Sequence, residues 1–567
     1  MKRPALERAQ RLILRENQVF LVLTIVVGVL AGLSAVLFTL AIEQTSHWLF
    51  GLAPSHARLF AVPVLVSVVT GVLLAKVFPD VRGSGVPQTE ASYHLAGGII
   101  RPHVPLGKFL TGVLCIGSGH SMGREGPSVQ IGAGFASIIG QWLRLPPERV
   151  RDLVPVGAAG ALAAAFNTPV AAVLFALEEI IGDMNAPLLG STVVASVASV
   201  VVERSILGNE PLFHVPTYHL VHPAELLAYA ALGILGGFVS LLFCKGLLGL
   251  RRLFLRFPAT TKVIQPAIGG IVIGALLLYS PAVMGVGYEY VDQALNGGLL
   301  LKTMAMLCLL KLAATIVSYA SGNAGGIFAP SLYIGAMAGG AIGVVVHTYA
   351  PFPTGDPGAY ALVGMGTLFA GIIRAPMTSV FMIFEITQDY QILVPLMLAN
   401  MLSLTISRRY QPVPVYHALL RQDNVHLPGA PVDVPETRTA RHFMRADVEM
   451  LPADLTVESA LTTIDSRRAS AALVADAGGL LAGRVTRQRL QEAVAEGRGA
   501  ETIGAMADAD VVHVHPDHSV ELVLDRFSGS GGLLPVVSRG NTRQVEGVVT
   551  LETIASGFDF RRQDPSS

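Results

Sequence analysis

The stretch Gly117–Ser128, with the sequence GSGHSMGREGPS, decides how the rest of the chain is interpreted. It lies between two apolar runs, Phe109–Ile116 and Val129–Trp142. Glu125 therefore stands in apolar surroundings, where a carboxylate is costly in a membrane and usually functional. Glycines on both sides allow backbone amides to face a ligand, and a proline suits the first turn of a helix. The stretch predicts a broken helix that begins at a titratable negative charge.

The composition indicates a membrane protein. The chain has 567 residues, of which 52% are hydrophobic and 14% are charged, whereas a soluble domain carries about 25% charged residues. Apolar runs with short polar breaks fill residues 18–407, which predicts a polytopic α-helical protein. The first run, Val19–Ile42, is too long for the core of a signal peptide, so we expect it to be retained.

Basic residues cluster beside the apolar runs and predict the orientation. The clusters are Met1–Glu16, Arg144–Arg151, Arg251–Lys262 and Arg408–Arg409. By the positive-inside rule both termini, including an N-terminal segment of residues 1–17, face the cytoplasm. We therefore expect a multi-pass protein of the cell membrane, embedded in the lipid bilayer.

The apolar region is an internal duplication. Matching residues recur in the same order with a nearly constant separation, which predicts two halves at about 18–210 and 220–410. The pairs are Lys108 with Lys311, Gly123 with Gly326 and Pro127 with Pro330, all 203 positions apart, and Pro169 with Pro376 and Glu178 with Glu385, both 207 apart. Broken segments at matching positions favour a site at the repeat interface. The separations do not show whether the halves are inverted, but inversion would bring helix N-termini together, where free N–H groups favour an anion.

Three short motifs share one design, a glycine-bounded break next to a proline. They are Gly83-Ser84-Gly85-Val86-Pro87, Gly123-Arg124-Glu125-Gly126-Pro127 and Gly326-Ile327-Phe328-Ala329-Pro330. In this order they closely resemble the signature of the CLC family of chloride channels and chloride/proton exchangers, over residues 18–420. The resemblance implies two inverted halves with broken helices, transport of chloride and protons, and a homodimer with one pore per subunit.

The resemblance also implies which groups hold the central anion. Ser84 and Tyr416 match the family's hydroxyl donors, and Ile327 and Phe328 match its backbone amide donors. An anion held by hydroxyls and dipoles, without a full positive charge, can leave quickly. Simpler interpretations stay open: Ser84 as a helix N-cap, Phe328 as apolar packing and Tyr416 as an interfacial anchor.

Glu125 matches the gating glutamate of the family. An ionised carboxylate can occupy a site built for anions and exclude chloride, and protonation lets the side chain leave. This one residue would thereby act as external gate and proton acceptor. The alternative is a structural carboxylate paired with Arg124.

Glu179 matches the position that delivers protons from the cytoplasmic side in exchangers, where channel members often carry an apolar residue. Its presence favours a secondary active chloride/proton antiporter, while a passive, voltage- or proton-gated chloride channel on the same scaffold stays open. Ser84 and Tyr416 match the chloride-transporting members of the family, so a fluoride-exporting relative is the less favoured interpretation.

Other charges and turn residues support this site. Glu90, Lys108 and Glu178 lie in apolar context, so we expect them to form a buried ion-pair network near the proton path. The turn residues that shape the breaks are Gly83, Gly85, Pro87, Gly123, Gly126, Pro127, Gly326 and Pro330.

After a proline-rich linker, residues 421–436, the composition becomes that of a soluble α/β module with its own repeat at separations of 62 to 64. It resembles a tandem CBS pair, with copies at 437–498 and 499–560, each an entry strand, a helix, two strands and a closing helix. Such pairs often bind adenine nucleotides through an acid that contacts the ribose. Arg489 and Thr553 stand at those positions, which disfavours a nucleotide and leaves a dimer-stabilising or allosteric module as the alternative. Residues 561–567 are predicted to be an unstructured tail.

The sequence disfavours other classes of function. It contains no His-Glu-x-x-His motif, which a membrane metalloprotease needs. Cys115, Cys244 and Cys308 lack the spacing of a metal site. We therefore expect no enzyme activity, no metal, no required cofactor and no nucleic-acid partner.

Overall fold

The computed structural model describes residues 3–427 and 439–553, except for residues 52, 185–186, 210, 214, 217, 219, 467–468, 529, 531 and 551. The chain divides into two compact units, Met1–Ala430 and Pro431–Ser567. Most of the predicted linker and all of the predicted tail lie outside the described residues.

The first unit is helical, and its helices form two matching series. The first series is α1 (Arg3–Phe50), α2 (His56–Val72), α3 (Val86–Leu95), α4 (His103–Gly117), α5 (Glu125–Trp142), α6 (Pro147–Phe166), α7 (Pro169–Phe175) and α8 (Leu189–Leu207). The second is α9 (Glu225–Leu255), α10 (Gln265–Tyr279), α11 (Tyr288–Leu295), α12 (Leu301–Ala320), α13 (Phe328–Tyr349), α14 (Pro357–Ile372), α15 (Pro376–Thr387) and α16 (Leu393–Tyr410). A last helix, α17 (Val415–Gln422), follows them. Helix α1 begins at Arg3, so residues 3–17 of the predicted N-terminal segment are continuous with the first span.

The outer helices carry the surface expected in lipid. Among the described residues, six helices are long and apolar enough to cross a membrane. Their apolar side chains face outward in large numbers, for example Val201 and Leu227, which are 59% and 74% exposed. Helix α5 differs, because it is buried over most of its length. It is therefore a central element of the bundle, surrounded by the other helices.

Reciprocal contacts relate the two halves. The Gly123 amide donates to the Gly326 carbonyl at 2.8 Å, and the Gly326 amide donates back at 2.7 Å. The Glu178 carboxylate accepts from the first turn of α15, and the Glu385 carboxylate accepts from the first turn of α7. Contacts that are exchanged in this way define a two-fold relation. The pseudo-two-fold axis passes between Gly123 and Gly326, where the N-termini of α5 and α13 meet.

The second unit is also a repeat of two copies. Its elements are α18 (Ala440–Phe443), β1 (Leu451–Pro452), α19 (Val457–Ser466), β2 (Ala471–Ala475), β3 (Leu481–Thr486), α20 (Arg487–Ala495), α21 (Val520–Ser528), β4 (Leu533–Val537) and β5 (Val545–Thr550). Strand β1 pairs parallel with β2, β2 pairs antiparallel with β3, and β4 pairs antiparallel with β5. The entry strand of the second copy is reduced to a single bridge between Val514 and Val536.

The leading segment of each copy packs in the core of the other. Arg445 bridges to Val548, and the equivalent Asp508 bridges to Arg484. Accordingly Ala440 and Phe443 share a core with the second copy, as the residues around Ile503 do with the first. A boundary at 498/499 therefore divides the repeat in sequence, whereas the folded cores exchange their leading segments.

Candidate anion site and its gate

The loop before α3 brings a hydroxyl to the centre of the first unit. Gly83 and Gly85 have positive φ angles of 78° and 108°, which glycine adopts at little cost. Between them Ser84 is completely buried. A Cβ atom on Gly126 would lie only 2.5 Å from the Ser84 hydroxyl oxygen. Gly126 is therefore needed for the close approach of this loop to the start of α5, and Pro87 lies in the first turn of α3.

A second buried hydroxyl belongs to Tyr416, the second residue of α17. Within the described part of the chain, neither the Ser84 Oγ atom nor the Tyr416 phenol oxygen has a hydrogen-bond partner, although both are buried. Buried hydroxyls are nearly always paired. Two buried hydroxyls without a partner that lie close to each other fit a small anion as their shared acceptor, and the roles of both residues stay predictions.

Phe328 begins α13, Ile327 directly precedes it, and both are buried. The first amides of a helix have no partner within it, and the helix dipole adds a partial positive charge there. The Phe328 ring packs against Phe166, Phe175 and Phe369, with centroid distances of 4.8, 5.7 and 4.3 Å. The apolar packing and the amide cradle are therefore two aspects of one arrangement, with Pro330 in the same first turn.

Glu125 begins α5 and is completely buried. Its Oε1 atom accepts a hydrogen bond of 2.5 Å from the phenol of Tyr288. A Cβ atom on Gly123 would lie 2.4 Å from Oε2 and 3.1 Å from the Ala329 amide nitrogen. The carboxylate is thus seated between the N-termini of α5 and α13, which is where an anion would be stabilised.

Arg124 does not form an ion pair with Glu125. Its guanidinium lies 3.7 Å from the carboxylate of Glu43 and 5.7 Å from the ring centroid of Tyr288. The alternative of a structural Arg124–Glu125 pair is therefore not what the structure contains. Pro127 follows in the first turn of α5, as the motif predicts.

Glu179 lies in a π-helical turn, Ala176–Ile181, that continues α7. Its side chain is partly exposed, and the charges of Glu90, Glu178 and Arg374 act on it. Tyr416 lies within the electrostatic field of both Glu179 and Glu125. The Tyr416 phenol is therefore close to both candidate proton carriers.

The predicted ion-pair network of Glu90, Lys108 and Glu178 is wrong. Lys108 donates to the carbonyl groups of Val81 and Gly83, at 2.7 and 2.8 Å. Glu178 accepts from backbone amides and the Thr378 hydroxyl. A buried charge needs partners, and here the main chain supplies them. The three residues do not pair with one another, and Glu90 pairs instead with His417, at 2.6 Å between Oε1 and Nε2.

Two residues beside the site, Tyr288 and His417, are missing from the sequence-based predictions. A signal exists for each. Tyr288 follows Gly285-Val286-Gly287, the repeat counterpart of Gly83-Ser84-Gly85, and is the equivalent of Val86 at a separation of 202. His417 directly follows Tyr416. The comparison of the two loops would have indicated Tyr288 as the first residue of the helix after the second loop, as Val86 is after the first.

Fold and site together define a class of protein: a polytopic membrane protein with a central anion cradle in which a buried carboxylate is seated. The family model "Voltage gated chloride channel" matches residues 64–408, and a CBS domain model matches residues 503–558. The chain therefore belongs to the voltage gated chloride channel family, and its predicted resemblance to CLC proteins is confirmed.

Named relatives agree with this assignment. The H(+)/Cl(-) exchange transporter ClcA of Vibrio campbellii is 31% identical over 427 residues, covering 73% of this chain and 91% of that protein. The crystal structure of a slow cyanobacterial Cl−/H+ antiporter is 27% identical with a TM-score of 0.65, covering 71% of this chain and 97% of the other. A eukaryotic CLC transporter, at 21% identity and a TM-score of 0.62, covers 94% of this chain and shows the shared fold. The predicted fold class, inverted helical repeats with broken helices followed by an α/β CBS module, is confirmed.

Proposed function

We propose that this protein is a secondary active chloride/proton antiporter in which Glu125 is the external gate and proton acceptor. The observation that carries the proposal is the position of the Glu125 carboxylate between the N-termini of α5 and α13. An ionised carboxylate there takes the place of chloride, and a protonated one gives it up. Proton binding and chloride binding at this site are therefore mutually coupled. The Vibrio and cyanobacterial relatives, which are named as exchangers, support the same activity.

Glu179 is the internal proton-transfer residue of the proposal. Its partial exposure supports proton exchange with the cytoplasmic side, and Tyr416 lies close to both Glu179 and Glu125. Ser84, Tyr416 and the amides of Ile327 and Phe328 hold the chloride ion. A passive chloride channel is the alternative, and it is supported by the matching family model, which is named for a chloride channel.

The cellular setting belongs to the same proposal. The basic clusters support a location in the cell membrane with both termini in the cytoplasm. We expect a homodimer with one pore per subunit, an absence of enzyme activity and no required cofactor. Arg489 and Thr553, in place of the acid that contacts a ribose, argue against nucleotide binding by the CBS module.

The test is chloride and proton flux in proteoliposomes, recorded together. Glu179→Gln should abolish proton movement while chloride flux continues, because the amide cannot carry a proton. Glu148→Gln, at an exposed carboxylate in the first turn of α6, is the matched control and should leave both fluxes unchanged. A wild-type protein that moves chloride without protons would instead support the channel.

A further inference from the structure

Tyr288 makes the hydrogen bond that holds the candidate gate, and it comes from the opposite half of the protein. It is the first residue of α11, and its phenol donates to Glu125 Oε1 at 2.5 Å. Short bonds from a neutral donor to an ionised carboxylate are among the stronger hydrogen bonds in proteins. No other side chain in the described part of the chain donates to Glu125. The phenol is therefore the main side-chain contact that keeps the carboxylate in its seat.

The structure holds Tyr288 in place with the same device that it uses for Ser84. Gly285 and Gly287 have positive φ angles of 53° and 79°, as Gly83 and Gly85 do. The Lys311 ammonium donates to the carbonyls of Val283 and Gly285, at 3.1 and 2.7 Å, which reproduces the contacts of its counterpart Lys108. One lysine-clamped loop thus presents a hydroxyl to the anion, and the other presents a hydroxyl to the carboxylate.

The ring of Tyr288 is also fixed from the sides. It packs edge-on against Phe213 with a centroid distance of 5.2 Å, and the Arg124 guanidinium lies over it. The further charged or titratable groups around the contact are Arg124, Glu43, Glu203, Lys311 and Tyr416. Arg124 is engaged by Glu43, and Lys311 is engaged by main-chain carbonyls. The hydroxyl of Tyr288 is thus aimed at one acceptor.

We propose that Tyr288 is a positioning residue for the gate: its phenol holds the ionised Glu125 carboxylate in the anion site and releases it on protonation. This inference rests on the proposed gating role of Glu125. The hydrogen bond favours the charged, seated carboxylate over the protonated, withdrawn one. A proton must therefore compete with Tyr288 before chloride can enter.

The test is the pH dependence of chloride flux in proteoliposomes containing the full chain. Tyr288→Phe removes the donor and keeps the ring, so the pH of half-maximal chloride turnover should rise by about one unit or more, as expected for loss of a hydrogen bond to a charged group. Tyr290→Phe is the matched control, since it is the same change on the same helix without contact to Glu125, and it should leave the profile unmoved. Replacing Tyr288 with a fluorinated tyrosine, a stronger donor of nearly the same shape, should lower the midpoint.

A second background makes the result specific. In Glu125→Gln, which lacks a titratable gate, Tyr288→Phe should no longer alter the pH profile. An unchanged midpoint in Tyr288→Phe, with wild-type flux still dependent on pH, would overturn the positioning role and leave the gate intact. Flux that is independent of pH in the wild type would overturn the gate itself and with it the role of Tyr288. If Tyr288→Phe does not fold, the fluorinated protein alone decides, because it retains every heavy atom of the native side chain.

Discussion

Helices α5 and α13 begin at equivalent points of the repeat and differ in one decisive side chain. Both follow a glycine-bounded break, both carry a proline in the first turn, and their loops exchange the two hydrogen bonds between Gly123 and Gly326. The residue that begins α5 is Glu125, whereas Phe328 stands at the same place in α13. The shared backbone supplies anion affinity from both sides, because helix N-termini favour negative charge. Under the proposed function, both halves of the fold therefore contribute to anion affinity, whereas only the half that carries Glu125 controls it.

The asymmetry extends to the surroundings of the two side chains. The Phe328 side chain is packed against three aromatic rings and has no polar or titratable group. Glu125 has one oxygen held by Tyr288 and a second without a partner in the described part of the chain. Under the proposed function, the Phe328 side of the site therefore stays fixed, whereas the Glu125 carboxylate can leave and be replaced by chloride.

The largest expected effect comes from making the two sides alike. Glu125→Gln removes the charge that competes with chloride and the group that carries the proton. We expect pH-driven chloride uptake to be abolished and the remaining chloride flux to lose its dependence on pH. Parallel recordings of chloride and pH in proteoliposomes measure both. Glu148→Gln, at the exposed carboxylate in the first turn of α6, is the control that should retain coupling. Coupled uptake that persists in Glu125→Gln would remove this residue from the mechanism.

Much of this comparison could be predicted from the sequence. The apolar runs predicted a membrane protein. The nearly constant separation of matching residues, such as Pro127 and Pro330, predicted the duplication. The cost of a carboxylate between apolar runs pointed to Glu125 before any fold was known. These inferences succeed because burial, helix breaks and repeats depend on the residue types within short stretches of the chain.

The partners of buried groups could not be predicted in the same way. From the sequence we expected the buried Lys108 to pair with carboxylates. In the structure it donates instead to two main-chain carbonyl groups of the folded loop. Burial demands compensation for a charge but does not say whether side chain or main chain supplies it. Likewise the contact between Tyr288 and Glu125 joins residues 163 positions apart, so only the meeting of the two halves creates it.

The two loop-clamping lysines offer a way to separate affinity from control. Lys108→Met leaves the carbonyls of the Ser84 loop without their donor, and we expect chloride binding to weaken by about tenfold. Lys311→Met disturbs the Tyr288 loop instead, so chloride affinity should change little while the pH midpoint of flux rises. Calorimetric titration with chloride and the pH profile of flux measure the two effects.

The control for this pair is Lys302→Met, at an exposed lysine in the first turn of α12. It should alter neither chloride binding nor the pH profile. Equal effects of Lys108→Met and Lys311→Met on both measurements would contradict the division of roles between the two loops. Both substitutions would then act through a general loss of protein stability.

The smallest expected effect tests the exchanged helix contacts. Glu178 accepts from the amides of Met377 and Thr378, and Glu385 accepts from the equivalent amides of Val170 and Ala171. Replacing either carboxylate with glutamine keeps one acceptor oxygen but loses the charge at a helix N-terminus. We expect each change to lower the free energy of unfolding by about 1 kcal/mol, measured as a lower midpoint of thermal unfolding in detergent.

One hydrogen bond breaks the symmetry of this last pair. The Thr378 hydroxyl donates to Glu178 at 2.8 Å, whereas its counterpart Ala171 has no hydroxyl to offer Glu385. Glu178→Gln should therefore be the more destabilising of the two, by a fraction of the first effect. In a Thr378→Ala background the two glutamine variants should become equal, since the second half then copies the first. If the difference between the two variants persists in the Thr378→Ala background, the Thr378 hydroxyl is not its cause. The difference then comes from the charges around Glu179, and the two helix contacts are equally stabilising.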